Sequence, residues 1–277
     1  MFRKFLNIIL IIFSLILALS CSANKKKTIE IKEVTPLDKL YKSAYENFEN
    51  GNYKLADELF KKVEKDYSYT IWAPKSLLMR SYLYYDSSEY IAALTSLQKF
   101  KKRYPGNENF VYAEYLIALC LFEQINFASL SQENTELSLK QFEKIIKNYP
   151  NSKYASDSKF KIDLINEQFA AKEMYLARYY MKRQKLLPAM YRLNNILNNY
   201  QTTIFIEEAL HRLVEINYYV GNVESAKKYA SILGYNYNDS DWYKKSYNIV
   251  EGTNLPLEKQ KTKKNFKEAI KKLINLK

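Results

Sequence analysis

One pattern recurs five times along this chain, and a recurring pattern constrains a fold more than any average property does. Ala93, Leu97 and Phe100 precede the pair Tyr104-Pro105 at offsets that return in Ser138, Phe142 and Ile145 before Tyr149-Pro150. The same small, apolar, apolar, tyrosine order appears in Ala56, Phe60, Val63 and Tyr67, in Ala189, Leu193, Ile196 and Tyr200, and in Ala226, Ala230, Leu233 and Tyr237. After the tyrosine come Ser68, Pro105, Pro150, Gln201 and Asn238. The small residues are spaced by 37, 45, 51 and 37 positions, which suits a repeat of about 34 residues with loops of variable length.

Positions three or four apart share one face of a helix, so each set forms a single stripe. The small residue lets a neighbouring helix approach closely. A proline after the stripe cannot continue the helix and restricts the residue before it, so the chain turns there. Gly51-Asn52 and Gly221-Asn222 stand shortly before Ala56 and Ala226, where an antiparallel helix pair needs its turn. First helices are expected around Leu37–Asn50, Pro74–Asp86, Tyr112–Gln124 and Ile206–Val220. Between Tyr154 and Arg183 neither Gly nor Pro occurs, which predicts one long helix opening the fourth unit. Five Gly and six Pro in 277 residues are too few for many short strands joined by tight turns. Helix, turn, helix, Tyr-Pro resembles the tetratricopeptide repeat. The expectation is an all-α, right-handed superhelix of about five helix-turn-helix repeats over residues 37–250, without a sheet.

Before the repeats lies a segment of another kind. Arg3 and Lys4 precede an apolar run from Phe5 to Leu19, short for a membrane span of about 20 residues. The run ends in Leu17-Ala18-Leu19-Ser20-Cys21, which resembles the lipobox of bacterial lipoproteins. That resemblance implies removal of residues 1–20 and acylation of Cys21, which then carries a diacylglycerol and an amide-linked chain. Two chains suffice for stable anchoring. Ser22 resembles the residue that permits export to the outer membrane, so the expected site is the periplasmic face of that membrane, with 21–36 as a lipidated tether. Lipidated Cys21 leaves only Cys120 as a thiol, so no intrachain disulfide is possible. Cys120, within AEYLIALCLFEQ, reads as a small apolar core residue.

The formal charge is +13, and it becomes +11 when Arg3 and Lys4 leave with the signal. A periplasmic protein never meets the genome. The charge therefore points to acidic protein partners or anionic lipid headgroups rather than nucleic acid, or simply to a solvated surface with a basic bias. Residues 251–277 form a basic tail. Phe266, Ala269, Ile270, Leu273 and Ile274 within it have helical spacing.

Aligning the repeats on their small residues gives the groove-facing positions of the first helices. These are Tyr41, Tyr45 and Phe48, then Leu78, Tyr82 and Tyr85, then Tyr115, Leu119 and Phe122. Aromatic side chains supply large contact area at low entropic cost, which suits recognition; packing between repeats is the competing use. The order of lipobox, basic tether and five repeats resembles the BamD family of outer-membrane assembly lipoproteins. The likeness is tightest from Ala177 to Thr203, Glu208 to Lys228 and Asn238 to Tyr247, and ALCLFEQ (Ala118 to Gln124) shares it. Gln184, where the family commonly has Gly, and Pro188, inside an expected helix, depart from it. The resemblance implies a scaffold that binds the POTRA domains of the barrel-forming subunit through its C-terminal repeats. It also implies that the N-terminal repeats receive unfolded outer-membrane proteins. Arg192 matches a family arginine at the contact with the barrel-forming subunit, where it could pair with a carboxylate.

No catalytic constellation accompanies these features. His211, the one histidine, sits in a helical pattern and reads as a packed or partly exposed residue. One His and one free Cys cannot make the usual zinc sets, and no Gly-rich phosphate loop occurs. No cofactor is expected. An envelope repeat protein acting on peptidoglycan or in cell division is the alternative reading.

Overall fold

The fold is that of a computed structural model, which describes residues 36–251. The expectations for residues 1–20, for Cys21 and its tether, and for the basic tail fall outside that range. Among the described residues there are eleven α-helices and no strand. They are α1 (Leu37–Glu49), α2 (Tyr53–Asp66), α3 (Trp72–Asp86), α4 (Tyr90–Arg103), α5 (Phe110–Phe122), α6 (Glu133–Asn148), α7 (Lys153–Lys182), α8 (Leu186–Asn199), α9 (Ile206–Tyr219), α10 (Val223–Asn236) and α11 (Asp241–Val250). The first ten form five consecutive pairs. From α2 onward each helix packs on the next in sequence, and α3 also meets α5, as α5 meets α7. None of these helices is long and apolar enough to cross a membrane.

The stripe on the second helices is the axis of the stack. Ala56, Ala93, Ser138, Ala189 and Ala226 are wholly buried, as are Phe60, Leu97, Phe142 and Leu193. Ser138 is the polar exception, and its hydroxyl donates to the Ala118 carbonyl at 3.2 Å, so burial leaves no unpaired group there. Cys120 lies buried in the cluster of Leu97, Phe100 and Leu116, and burial pushes its thiol up to about 12.

The recurring tyrosine ends all five second helices in the same way. Tyr67, Tyr104, Tyr149, Tyr200 and Tyr237 leave helical geometry with φ between −119 and −143°. Each tyrosine N–H donates to the carbonyl four residues back, and each carbonyl accepts from the N–H three residues on, at 3.0 to 3.2 Å. Proline follows in only two of the five, so the turn belongs to the tyrosine position and proline merely enforces it.

Within the pairs another turn repeats. Gly51, Ser88, Gln184 and Gly221 have φ of 74, 61, 60 and 85°. The next N–H in each reaches the carbonyl five residues back, at 2.8, 2.7, 2.9 and 2.9 Å, the helix-ending turn that favours glycine. Gln184, the departure from the family pattern, thus occupies the glycine position in a glycine conformation. Pro188 is the third residue of α8, where an N–H has no partner inside the helix, and α8 runs unbroken to Asn199.

Two buried carboxylates staple neighbouring pairs. Glu64 of α2 takes Arg80 at 3.1 Å, Lys99 at 2.7 Å and Arg103 at 2.6 Å. Glu114 of α5 takes Lys101 at 2.6 Å and Lys144 at 3.1 Å. The eleventh helix was not announced by the repeat. It starts at Ser240, whose hydroxyl accepts from the Trp242 N–H at 3.1 Å, and it packs on α9 and α10.

Candidate partner-binding face

The first helices α1, α3 and α5 turn a row of rings toward one another. Tyr41 is the most enclosed at the N-terminal end. Its ring lies 5.5 Å from Phe60 and 4.7 Å from Trp72, with the Lys75 ammonium 5.0 Å above it. Burial, and then the neighbouring Tyr45, push its hydroxyl up to about 12. Tyr45 is 41% exposed, and the hydrogen bond its hydroxyl donates to the Glu49 carboxylate holds its pKa up. Phe48 bridges to the next repeat, 6.3 Å from Tyr45 and 5.8 Å from Tyr82. Tyr82 continues the row to Tyr85 at 6.2 Å. Tyr85 is pushed up to about 12 by burial and by Glu123.

In the third repeat the row crosses to α7. Tyr115 stands 5.1 Å from Tyr154 and donates its hydroxyl to Asp157. Burial, then Asp157, hold that hydroxyl well above the usual phenol range. Phe122 lies 6.2 Å from Phe142, with the Lys161 ammonium 4.6 Å over its ring. Tyr41, Phe48, Tyr82, Tyr85, Tyr115, Leu119 and Phe122 are all half-buried. They pack edge against ring and still meet water, so packing and exposure are not alternatives here. Leu78 differs: it is 7% exposed, a core residue between α3 and α4 rather than a groove residue.

Two members of the row were missed by sequence reasoning. Tyr112 lies 5.7 Å from Tyr154 and is held up by burial. It precedes Tyr115 by one helical step, so its spacing could have revealed it. Tyr154 could not be found that way, because only packing across the repeat brings α7 beside α5.

Arg192 lies apart from this row, on α8. Its guanidinium donates to both oxygens of Glu173 on α7, at 3.2 and 3.3 Å, and stands 5.6 Å from the Tyr191 ring. Its side chain is 31% exposed, so the group is already paired inside the chain yet reachable from outside. Tyr191 beside it is 69% exposed.

His211 is buried on α9. Its Nδ1 lies 2.8 Å from the Ser246 hydroxyl, which itself donates to the Trp242 carbonyl, and its Nε2 lies 3.5 Å from Glu215. The Ser246 contact fastens α11 to α9, while Glu215 holds the ring from within α9. Among the described residues no three His, Cys, Asp or Glu side chains are placed to hold a metal ion.

Paired helices stacked on a small-residue stripe, with an aromatic row on the first helices, define a tetratricopeptide-type scaffold. The sequence model described as YfiO, outer membrane lipoprotein, matches residues 34–233. The outer membrane protein assembly factor BamD of Caulobacter vibrioides is 36% identical over 235 residues, covering 85% of this chain and 77% of that protein. That of Rickettsia prowazekii is 37% identical over 235 residues, covering 85% and 93%. The Neisseria gonorrhoeae protein of the same name is 32% identical over 223 residues, covering 76% and 83%. The chain belongs to this YfiO/BamD family of outer membrane lipoproteins.

Proposed function

We propose that the chain is a lipid-anchored scaffold of outer-membrane protein assembly. In this reading Cys21 holds it to the periplasmic face of the outer membrane. The C-terminal repeats, with Arg192, bind the POTRA domains of the barrel-forming subunit. The first helices of repeats one to three receive unfolded outer-membrane proteins, without cofactor, nucleic acid or catalysis. The name shared by its relatives supports a role in assembly over one in peptidoglycan or division complexes.

The observation that carries the reading is the row of rings from Tyr41 and exposed Tyr45 through half-buried Phe48, Tyr82 and Tyr85 to Tyr115. Rings held by their neighbours lose little freedom when a ligand arrives, and each keeps an apolar edge for it. Tyr82→Ala with Tyr85→Ala should weaken binding of an aromatic-ended, apolar peptide by about tenfold or more, as hot-spot aromatics do, with circular dichroism unchanged. Unchanged affinity would reject the groove.

Arg192 tests the other surface. A partner carboxylate must share or displace Glu173, and Arg192→Glu puts two acids where the pair stood. Binding to purified POTRA domains should then fall by about 2–5 kcal/mol if the contact is buried in the complex. Glu173→Lys in the same chain restores the internal pair but not the partner contact. Recovery of full affinity in that double variant would make Arg192 a purely internal residue.

A further inference from the structure

In the third repeat residues 123–132 stand between α5 and α6, where the other pairs have a tight turn. This segment is pinned at many points. Gln168 of α7 donates to the Asn126 carbonyl at 2.6 Å, and Lys172 donates to the Ser129 and Leu130 carbonyls, both at 3.1 Å. Asn134 donates to the Gln124 carbonyl at 3.2 Å, and Gln132 to the Leu130 carbonyl at 3.1 Å. Gln168 and Lys172 are one helical turn apart, so the segment forms a strap across one face of α7.

The strap holds its largest apolar side chains out in water. Phe127 is 83% exposed and Leu130 is 51% exposed. On the same face of α7, Leu164 lies one turn before Gln168, while Tyr175 and Tyr179 follow Lys172; all three are more than 40% exposed. Ile125 packs on the core around Phe142 and Ile165, but exposed Phe127 and half-exposed Leu130 return little of the entropy that ordering the segment costs. Exposed apolar side chains gathered on one strap and one helix face offer the kind of surface that marks an interaction site.

We infer that the strap, with Phe127 and Leu130 at its tip, extends the aromatic row into a second segment of the same binding surface, which takes the next stretch of an extended apolar strand. The inference rests on the proposed reception of unfolded outer-membrane proteins. Continuity supplies the occupant: Phe122, the last groove position of the row, is joined directly to the strap, and Lys161 stands over its ring. Leu164 to Tyr179 spans about 22 Å of helix, the reach of about seven residues of extended chain.

Length therefore separates the two segments. The test uses two fluorescent peptides of alternating apolar and polar residues with an aromatic C-terminus, one of about six residues and one of about fourteen. In the full chain, Phe127→Ser with Leu130→Ser should weaken the long peptide about tenfold or more and leave the short one unchanged. Lys172→Ala, which frees the strap from α7, should weaken the long peptide in the same sense. Helical circular dichroism and the melting midpoint control for folding. Unchanged affinity for the long peptide overturns the strap alone, while failure of the wild type to bind either peptide rejects the groove reading and the strap with it. Loss of anionic-vesicle binding or of self-association in the strap variant, with the long peptide unaffected, would assign the patch to lipid or to a second copy and also overturn the inference.

Discussion

The first and fifth repeats are built on the same second-helix stripe, yet their first helices live in opposite surroundings. In α1 only Leu40 and Ala44 are buried, and Tyr41, Tyr45 and Phe48 keep ring edges in water. In α9 nine residues are buried, among them Glu208, His211 and Asn217, because α7 and α8 pack on the helix from before it and α10 and α11 from after it. Covering a first helix turns a face that could recognise a ligand into core. Its polar residues must then find partners within the chain: Glu208 takes Arg178 and Arg212, His211 takes Ser246, and Asn217 donates to the Leu213 carbonyl at 2.8 Å. The same stripe can thus carry a half-exposed first helix in one repeat and a buried one in another.

The sharpest way to break this comparison is to remove one charge from the sealed face and one ring from the open face. Glu208→Ala leaves Arg178 and Arg212 without their shared carboxylate. Breaking a buried pair costs about 3–5 kcal/mol; half-exposed Arg178 can return to water and Arg212 keeps Glu215, so about 2–4 kcal/mol is expected. Tyr45→Ala on the open face should change stability by under about 0.5 kcal/mol. Urea unfolding of both variants reads the difference, and equal losses would erase the contrast.

Acid should act on the sealed end in the same direction. Burial alone would raise the Glu208 carboxyl, but Arg178 and then Arg212 outweigh it and hold it below the usual range. Burial likewise opposes, and His211 with Arg212 overcomes, to hold Glu215 below the usual range as well. Both carboxyls therefore have lower pKa values folded than unfolded. Their contribution is whole above the ordinary carboxylate range and is lost as pH falls through and below it. The stability gap between wild type and Glu208→Gln should shrink as pH drops from neutral toward 3, measured by urea midpoints. A gap that stays constant would mean that Glu208 is not held by its charge.

What the sequence made legible follows from distance along the chain. The stripe of Ala93, Leu97 and Phe100 could be read because helical period places near neighbours on one face. The exit at Tyr104 could be read because the same offset recurs. That the rings of the first helices share one face was legible, Leu78 apart, but their half-burial was not, since Tyr115 meets Tyr154 across 39 residues. Glu64 and Glu114 look like surface carboxylates until three and two basic side chains are folded over them. The Arg192–Glu173 pair, the strap on α7 and the cap α11 all depend on contacts between helices. None of them leaves a periodic mark.

A weaker test asks whether the shared stripe carries equal weight at both ends. Ala93→Leu and Ala226→Leu each force a larger side chain into a wholly buried helix crossing. Overpacking should cost about 1–3 kcal/mol in each case. A melting midpoint that falls for one and not for the other would show that the crossings are not equivalent. Repeats two and five would then differ in their second helices as well as their first.

The smallest effect expected is a gain, and it should be blind to which end of the stack it is made in. Gln184 in the fourth repeat and Ser88 in the second have φ of 60 and 61°, where repeats one and five use Gly51 and Gly221. A side chain in this left-handed region costs about 1–2 kcal/mol. Glycine removes that cost but gives the unfolded chain more freedom, worth about 0.5–1 kcal/mol against it. Gln184→Gly and Ser88→Gly should therefore each stabilise by about 0.5–1 kcal/mol. The converse, Gly221→Ala, should destabilise through φ alone, because a methyl group there meets no atom within 4 Å. Calorimetric midpoints of the three variants give the comparison. A gain at Ser88 without one at Gln184 would mean that the Gln184 side chain itself supports the turn between α7 and α8, and that the two halves of the stack differ even where their backbones coincide.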